Sequence, residues 1–391
     1  MKDLSIFFQP ATLSEEENVA NNWSLHHQVL LHTEQDFPQM DKKGVAIFNV
    51  PEERGMAKVS QATLSGQTSS WVNFFLNLYP GMNWQNQIYF LGDLSPGATL
   101  QDTYFALTEV TSELIKNNIT PIVVGAGQDL TYAMYKAYAG LEQLVNLCAI
   151  DAKLDFGDVE APIRDNNWLS KIVLDKPCYL FNFSNIGAQS HFIPPKEILL
   201  FDELFFDITR LGRLSNELHL AEPVLRNTDL LSCDLDVLRC ADWQGGQHAS
   251  PNGLFAHELC QLMRYAGISD KLSAVGLFNY AKQNTRPSDD ALVAQLIWYF
   301  IDGYENRQGD FPIGSKKNYI KYRVFISELD EEILFLKSDK TGRWWMEVPY
   351  PPEKGKKYIR HQLVPCDYVT YQEAMKGEIP DLWWRTYQKL G

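Results

Sequence analysis

Between residues 41 and 311, short apolar runs alternate with segments of helical period, and this alternation predicts an α/β protein with a mostly parallel sheet. The apolar runs have almost no polar interruption, as strands buried on both faces do, so helices should cover both sides of the sheet. Polar residues collect where those runs end, which is where α/β proteins assemble their sites. At 391 residues and 45% hydrophobic, the chain is long enough to bury a large core.

Residues 1 to 40 are polar and irregular and read as an N-terminal extension. The run Gly44–Val50, stopped by Pro51, is the first buried strand. A helical stretch over 71–79 ends at Pro80-Gly81, and the strand-like run 87–91 is closed by Gly92-Asp93. Residues 103–117 place Phe105, Leu107, Val110, Leu114 and Ile115 at helical spacing, and 121–124 follows as a strand. The alternation continues with a helix over 131–139, strands at Val145–Ile150, 178–183 and 230–233, a helix over 257–266, a strand over 272–278 and a long apolar helix over 291–301. The texture changes after Gly309-Asp310-Phe311-Pro312. Residues 319–326 alternate, 332–337 is strand-like, and Lys340-Thr341-Gly342 leads into Trp344-Trp345-Met346, so 312–391 is expected to form a hairpin-bearing appendage. That segment holds 14 Lys/Arg against 11 Asp/Glu, opposite in sign to the rest, which suits docking on an acidic domain; a partner-binding surface is the other reading.

A net charge of −14 and a pI near 5.1 argue against binding a phosphate backbone. The first thirty residues carry Glu15, Glu16 and Glu17 and no long apolar block, so neither a signal peptide nor a membrane anchor is expected, and the chain reads as cytoplasmic. Six scattered cysteines without CxxC spacing read as buried thiols in a reducing compartment. Gly125-Ala126-Gly127 is no phosphate loop, because neither GxGxxG nor GxxxxGK[ST] is present.

Four short segments at predicted strand ends carry the candidate chemistry. They are Gly125-Ala126-Gly127-Gln128-Asp129, Asp151-Ala152-Lys153-Leu154-Asp155, Ser232-Cys233-Asp234-Leu235-Asp236 and Pro251-Asn252-Gly253. In this order the sequence over roughly 40 to 310 resembles the ureohydrolases, the arginase, agmatinase and formimidoylglutamase family. Arg264-Tyr265-Ala266-Gly267 and Ile297-Trp298-Tyr299-Phe300 look closest to a formimidoylglutamase-like branch. The resemblance implies a three-layer arginase-like fold and, in a typical member, motifs GGxHD, DAHxD and SxDxD holding two Mn²⁺ ions around a hydroxide nucleophile. Carried over, it makes Asp151, Asp155, Asp234 and Asp236 the metal-ligand positions. It also leaves Gln128 and Lys153 where histidines are expected. Substrate would lie near Asn252, Asn279 and Lys282, with Ala281 a further candidate.

The departures are of three kinds. Both ligand imidazoles are replaced, no Glu occurs between Glu258 and Glu305 to recognise a guanidinium, and no His occurs between His32 and His191 to shuttle protons. Four carboxylates without a metal repel one another, so Lys153 is expected to serve as a built-in counter-ion in the metal's place. The sequence therefore favours a non-catalytic binding or assembly component without a cofactor, acting through an unidentified protein partner or small-molecule ligand and plausibly as a homo-oligomer. The alternative is a metal-dependent C–N hydrolase of amidines or guanidines that uses Mn²⁺. Gln128 could also offer its carbonyl oxygen to a single hard cation. His248, on the loop before Asn252, is a candidate replacement ligand, and Cys233 reads as a core thiol.

Overall fold

In the computed structural model, residues 2–10, 22–57, 70–247, 250–280, 285–312, 316–351 and 358–391 are described. The central sheet contains β1 (Phe8–Gln9), β2 (Val29–Leu31), β3 (Gly44–Val50), β4 (Gln87–Leu94), β5 (Ile119–Gly125), β6 (Val145–Ile150), β7 (Leu180–Ala188), β8 (Asp207–Arg210), β9 (Leu230–Asp234) and β10 (Ala274–Phe278). Its order is β1-β4-β3-β5-β10-β9-β6-β7-β8, with β2 also paired to β4. Every pairing is parallel except that of β1 with β4, so the carboxyl ends of the long strands share one rim.

Period-2 burial builds the layers. Val45, Ile47, Ile122, Val124, Cys148 and Ile150 face one core, formed with α1 (Trp71–Leu76), α8 (Ala256–Ile268) and α9 (Pro287–Glu305). The intervening Ala46, Phe48, Val123, Leu147 and Ala149 face the other, with α2 (Leu100–Lys116), α3 (Leu130–Ala139), α4 (Trp168–Val173) and α5 (Pro195–Glu203). Helix α2 begins earlier than its apolar period suggests because Thr99 and Asp102 close a capping box. The segment expected to be irregular, 1–40, contributes β1 and β2 to the sheet edge. Strands of two and three residues are too short to show a period.

Helices α8 and α9 touch backbone to backbone. A Cβ on Gly303 would lie 2.3 Å from the Arg264 carbonyl oxygen, and one on Gly267 would lie 2.1 Å from that of Phe300. Gly303→Ala is therefore expected to lower stability by on the order of 2 kcal/mol despite its better helix propensity, as read by the urea midpoint. A gain in stability would mean that the helices can separate freely.

The C-terminal unit is more than a hairpin. β11 (Tyr319–Ile326), β12 (Glu331–Ser338), β13 (Trp344–Glu347) and β14 (Leu363–Cys366) form an antiparallel meander, with the expected β12–β13 turn at Gly342 in the left-handed region (φ 72°). Helices α10 (Tyr368–Met375) and α11 (Asp381–Leu390) complete a core around Phe335, Trp344, Val364 and Trp383. The unit docks through cations on the main domain's acids and carbonyls: Arg360 meets buried Asp229 at 2.9 Å, Arg343 meets Glu222 at 3.3 Å, and Arg385 donates to the Phe206 carbonyl at 3.0 Å. In the other direction, Arg226, at the end of α7 (Ala221–Arg226), donates to the Trp344 and Cys366 carbonyls.

Not all six cysteines are core thiols. Cys178 is exposed and Cys240 half-buried, because both lie on connections outside the strands; Cys233 and the others are buried. Among the described residues no helix is long and apolar enough to cross a membrane.

Candidate functional site

The four central strands β5, β10, β9 and β6 lie side by side, and the carboxyl ends of β5, β6 and β9 carry three of the four motifs; the fourth, Pro251-Asn252-Gly253, expected at a strand end, lies instead on the connection from β9 to α8. Ile150 is in register with Cys233, so Asp151 and Asp234, one residue on, emerge from neighbouring strands; Phe278 pairs with Asp234, which brings in Asn279. Asp151, Asp155, Asp234 and Asp236 are all buried.

Each carboxylate is tied to the local chain. Asp151 Oδ1 accepts the Lys153 backbone N–H at 2.8 Å, Asp155 Oδ2 accepts Trp168 Nε1–H at 3.3 Å, and Asp236 Oδ2 accepts the Gln247 N–H at 3.1 Å. Asp234 Oδ1 accepts both the Asp236 N–H and Asn279 Nδ2–H at 2.7 Å. Asp155 (φ 48°) and Asn279 (φ 62°) both occupy the left-handed region, which Asp and Asn tolerate better than most residues.

Burial dominates the electrostatics. Loss of water and the neighbouring Asp155 charge push Asp151 well above the usual carboxylate range. Burial, Asp151 and Asp236 do the same to Asp234. Burial raises Asp155 to about 7, opposed in part by the neighbouring Asp151 carboxyl. Asp129 also rises to about 7 through burial, although Tyr104 donates its hydroxyl at 2.5 Å.

The expected role of Lys153 is not what the structure shows. Its ammonium makes no ion-pair contact with any of the four aspartates among the described residues; it eases the charge of Asp151 and Asp155 only from a distance. Had residues 151–155 stayed extended, side chains 151, 153 and 155 would share a face. Instead the Asp151 side chain caps the Lys153 N–H, and the left-handed turn at Asp155 folds the two aspartates together, leaving Lys153 half-buried beside them.

Gln128 is turned inward, its Nε2–H donating to Ser232 Oγ at 3.1 Å, while Thr131 shares the same hydroxyl at 2.7 Å. Asn252 is exposed and pairs reciprocally with Gln189 at 3.2 and 3.3 Å; Gln189 in turn donates its backbone N–H to the Ala152 carbonyl, so Asn252 lies one link from the aspartate loop. Lys282, Ala281 and His248 lie outside the described residues. The sequence reading missed Ser232 as the partner of Gln128, Asn185, whose Nδ2–H holds the Lys153 carbonyl at 2.7 Å, and Asp165, which accepts the Ala57 N–H and Gln247. No motif announces Asn185 or Asp165.

A dimanganese centre does not fit this donor set. Among the described residues it offers carboxylates and amides with no imidazole, and no three His, Cys, Asp or Glu side chains there are gathered as a metal needs them. Asp151 Oδ2, Gln128 Oε1 and Asn279 Oδ1 are buried without a hydrogen-bond partner among the described residues.

No protein-family profile and no curated protein matches the sequence. Solved structures do match. A Mn²⁺-bound variant of the formiminoglutamase from Trypanosoma cruzi superposes with a TM-score of 0.62 at 16% identity, covering 73% of this chain and 99% of that one. Formimidoylglutamase from Bacillus subtilis gives 0.62 at 15% identity, covering 77% and 97%. Arginase from Medicago truncatula gives 0.53 at 14%, covering 66% and 87%. The chain thus has the arginase-type fold, with the C-terminal antiparallel sheet in addition.

Proposed function

We propose that this protein keeps the ureohydrolase fold without its dimanganese chemistry and acts as a binding or assembly component. The observation that carries this reading is the pair of positions where the resemblance implies imidazoles: Gln128 is held by Ser232, and Lys153 lies beside the carboxylates without pairing to them. A dimanganese centre that activates water takes an imidazole at each metal, and neither of these two residues supplies one. Neither of two sizeable cavities in the molecule is lined by any of the four aspartates.

The test is the manganese content of protein prepared with added Mn²⁺ and desalted, together with assays of formimidoylglutamate, agmatine and arginine. We expect far less than one equivalent and no turnover. Retention of about two equivalents per chain would sink the reading. The unpartnered buried oxygens of Asp151, Gln128 and Asn279 favour one rival, a hydrolase with a rearranged, oxygen-ligated cation. Turnover that disappears in Asp234→Ala would establish that rival instead. Introducing both Gln128→His and Lys153→His should raise manganese uptake above wild type.

A further inference from the structure

The C-terminal unit and the β6–β8 side of the main domain enclose a cavity of about 580 Å³, within the range of small-molecule sites. Its apolar wall includes Phe206, Ile208, Val224 and Leu382, contributed by both parts of the molecule. The polar lining is uneven in how it is satisfied. Each carboxylate has a partner: Asp202 and Asp381 receive Arg385 at 3.5 and 2.8 Å, Asp207 accepts Asn182 and Ser184 at 3.1 and 3.3 Å, and Asp367 caps α10 through the Thr370 N–H at 2.8 Å.

The cations are less well provided for. Lys389 also lines the cavity, and its ammonium donates to the neutral Asn182 Oδ1, with no carboxylate in ion-pair contact among the described residues. Burial lowers its pKa, and the more distant charges of Asp207 and Asp381, opposed by Arg385, offset this only in part. Arg210, exposed at the end of β8, has no ion-pair partner among the described residues, and Arg213 approaches Glu217 only at 3.9 Å. Two guanidinium groups therefore stand exposed at the cavity wall, with a poorly compensated ammonium among its lining residues.

We propose that this interdomain cavity binds a small organic anion with an apolar body, its anionic group meeting Lys389 and its body packing on the apolar wall. An ammonium is a non-directional point charge, so a carboxylate or a phosphate monoester satisfies it equally in kind. Binding would clamp the C-terminal unit onto the α/β domain, because the lining residues come from both. The site is separate from the aspartate cluster and does not depend on the function proposed for it.

The experiment is calorimetric titration of the full chain with 4-phenylbutyrate, phenyl phosphate and 4-phenylbutylamine. Saturable binding of either anion, weakened about tenfold or more in Lys389→Met and retained in Lys389→Arg, is the expected result, and the tighter anion identifies the preferred head group. Binding of the amine as tight as the anions, no anion binding at millimolar concentration, or anion binding unchanged in Lys389→Met would each overturn the proposal. Hydrogen exchange on the unsubstituted chain gives a second readout should Lys389→Met not fold. The bound anion should slow exchange in both 207–213 and 381–390, and slowing in neither segment would count against the site.

Discussion

Asp151→Asn is expected to make the protein more stable than wild type at pH 8, by on the order of 2 kcal/mol, with the gain shrinking toward pH 5. A carboxyl whose pKa rises on folding holds its proton more tightly in the folded state than in the unfolded chain. Its contribution favours folding below the unfolded value and is lost as pH climbs through the folded one. Asp155 and Asp129 reach about 7, and Asp151 and Asp234 are also raised, so stability should fall between about pH 4 and 8. The rise of Asp155 alone corresponds to roughly 4 kcal/mol favouring its protonated form.

An asparagine at 151 removes one charge of the pair while its Oδ1 can still accept the Lys153 N–H. Its Nδ2 replaces an oxygen that now has no partner and can donate to Asp155. Thermal melts of both proteins from pH 5 to pH 8 would measure the effect. A lower melting temperature for the variant at pH 8, deepening when Mn²⁺ is added to both proteins, would show instead that Asp151 holds a cation.

Arg226→Ala should have the larger effect, in the opposite direction: a loss of about 3 to 5 kcal/mol. The buried guanidinium donates to the Trp344 and Cys366 carbonyls at 3.0 Å each, pairs with Glu222 at 3.0 Å, and lies 4.6 Å from the Trp345 ring centroid. Truncation strips two buried carbonyls of donors and removes a flat group stacked on an indole. Arg226→Lys should recover little, because an ammonium cannot reach both carbonyls in the forked geometry of arginine. Urea unfolding followed by tryptophan fluorescence, with limited proteolysis of the C-terminal unit, would measure this. A loss below about 1 kcal/mol would assign the docking to Arg360, Arg343 and Arg385 instead.

The long buried strands were legible because apolar runs bounded by Gly, Pro and Asp leave few alternatives, and Gly44–Val50 and Val145–Ile150 begin and end where their composition changes. Helix α5 and strand β8 escaped notice because their residues are only partly buried and show no clean period. In the C-terminal unit β11, β12 and β13 were legible, but β14 and the two last helices were not, since they are short and identified by what they pack against.

At the site the division is sharper. The sequence by itself determined which carboxylates stand at the ends of β6 and β9, since a strand's exit point follows from its apolar run, and its resemblance to the ureohydrolases implied imidazoles where Gln128 and Lys153 stand. Only the tertiary structure decided where those side chains point. A hydrogen bond to Ser232, over a hundred residues away, turns Gln128 inward, and the local turn made by the Asp151 cap and left-handed Asp155 leaves Lys153 out of ion-pair contact with the aspartates it was expected to neutralise. Side-chain direction depends on backbone torsions and on partners distant in the chain, and neither is written in local spacing.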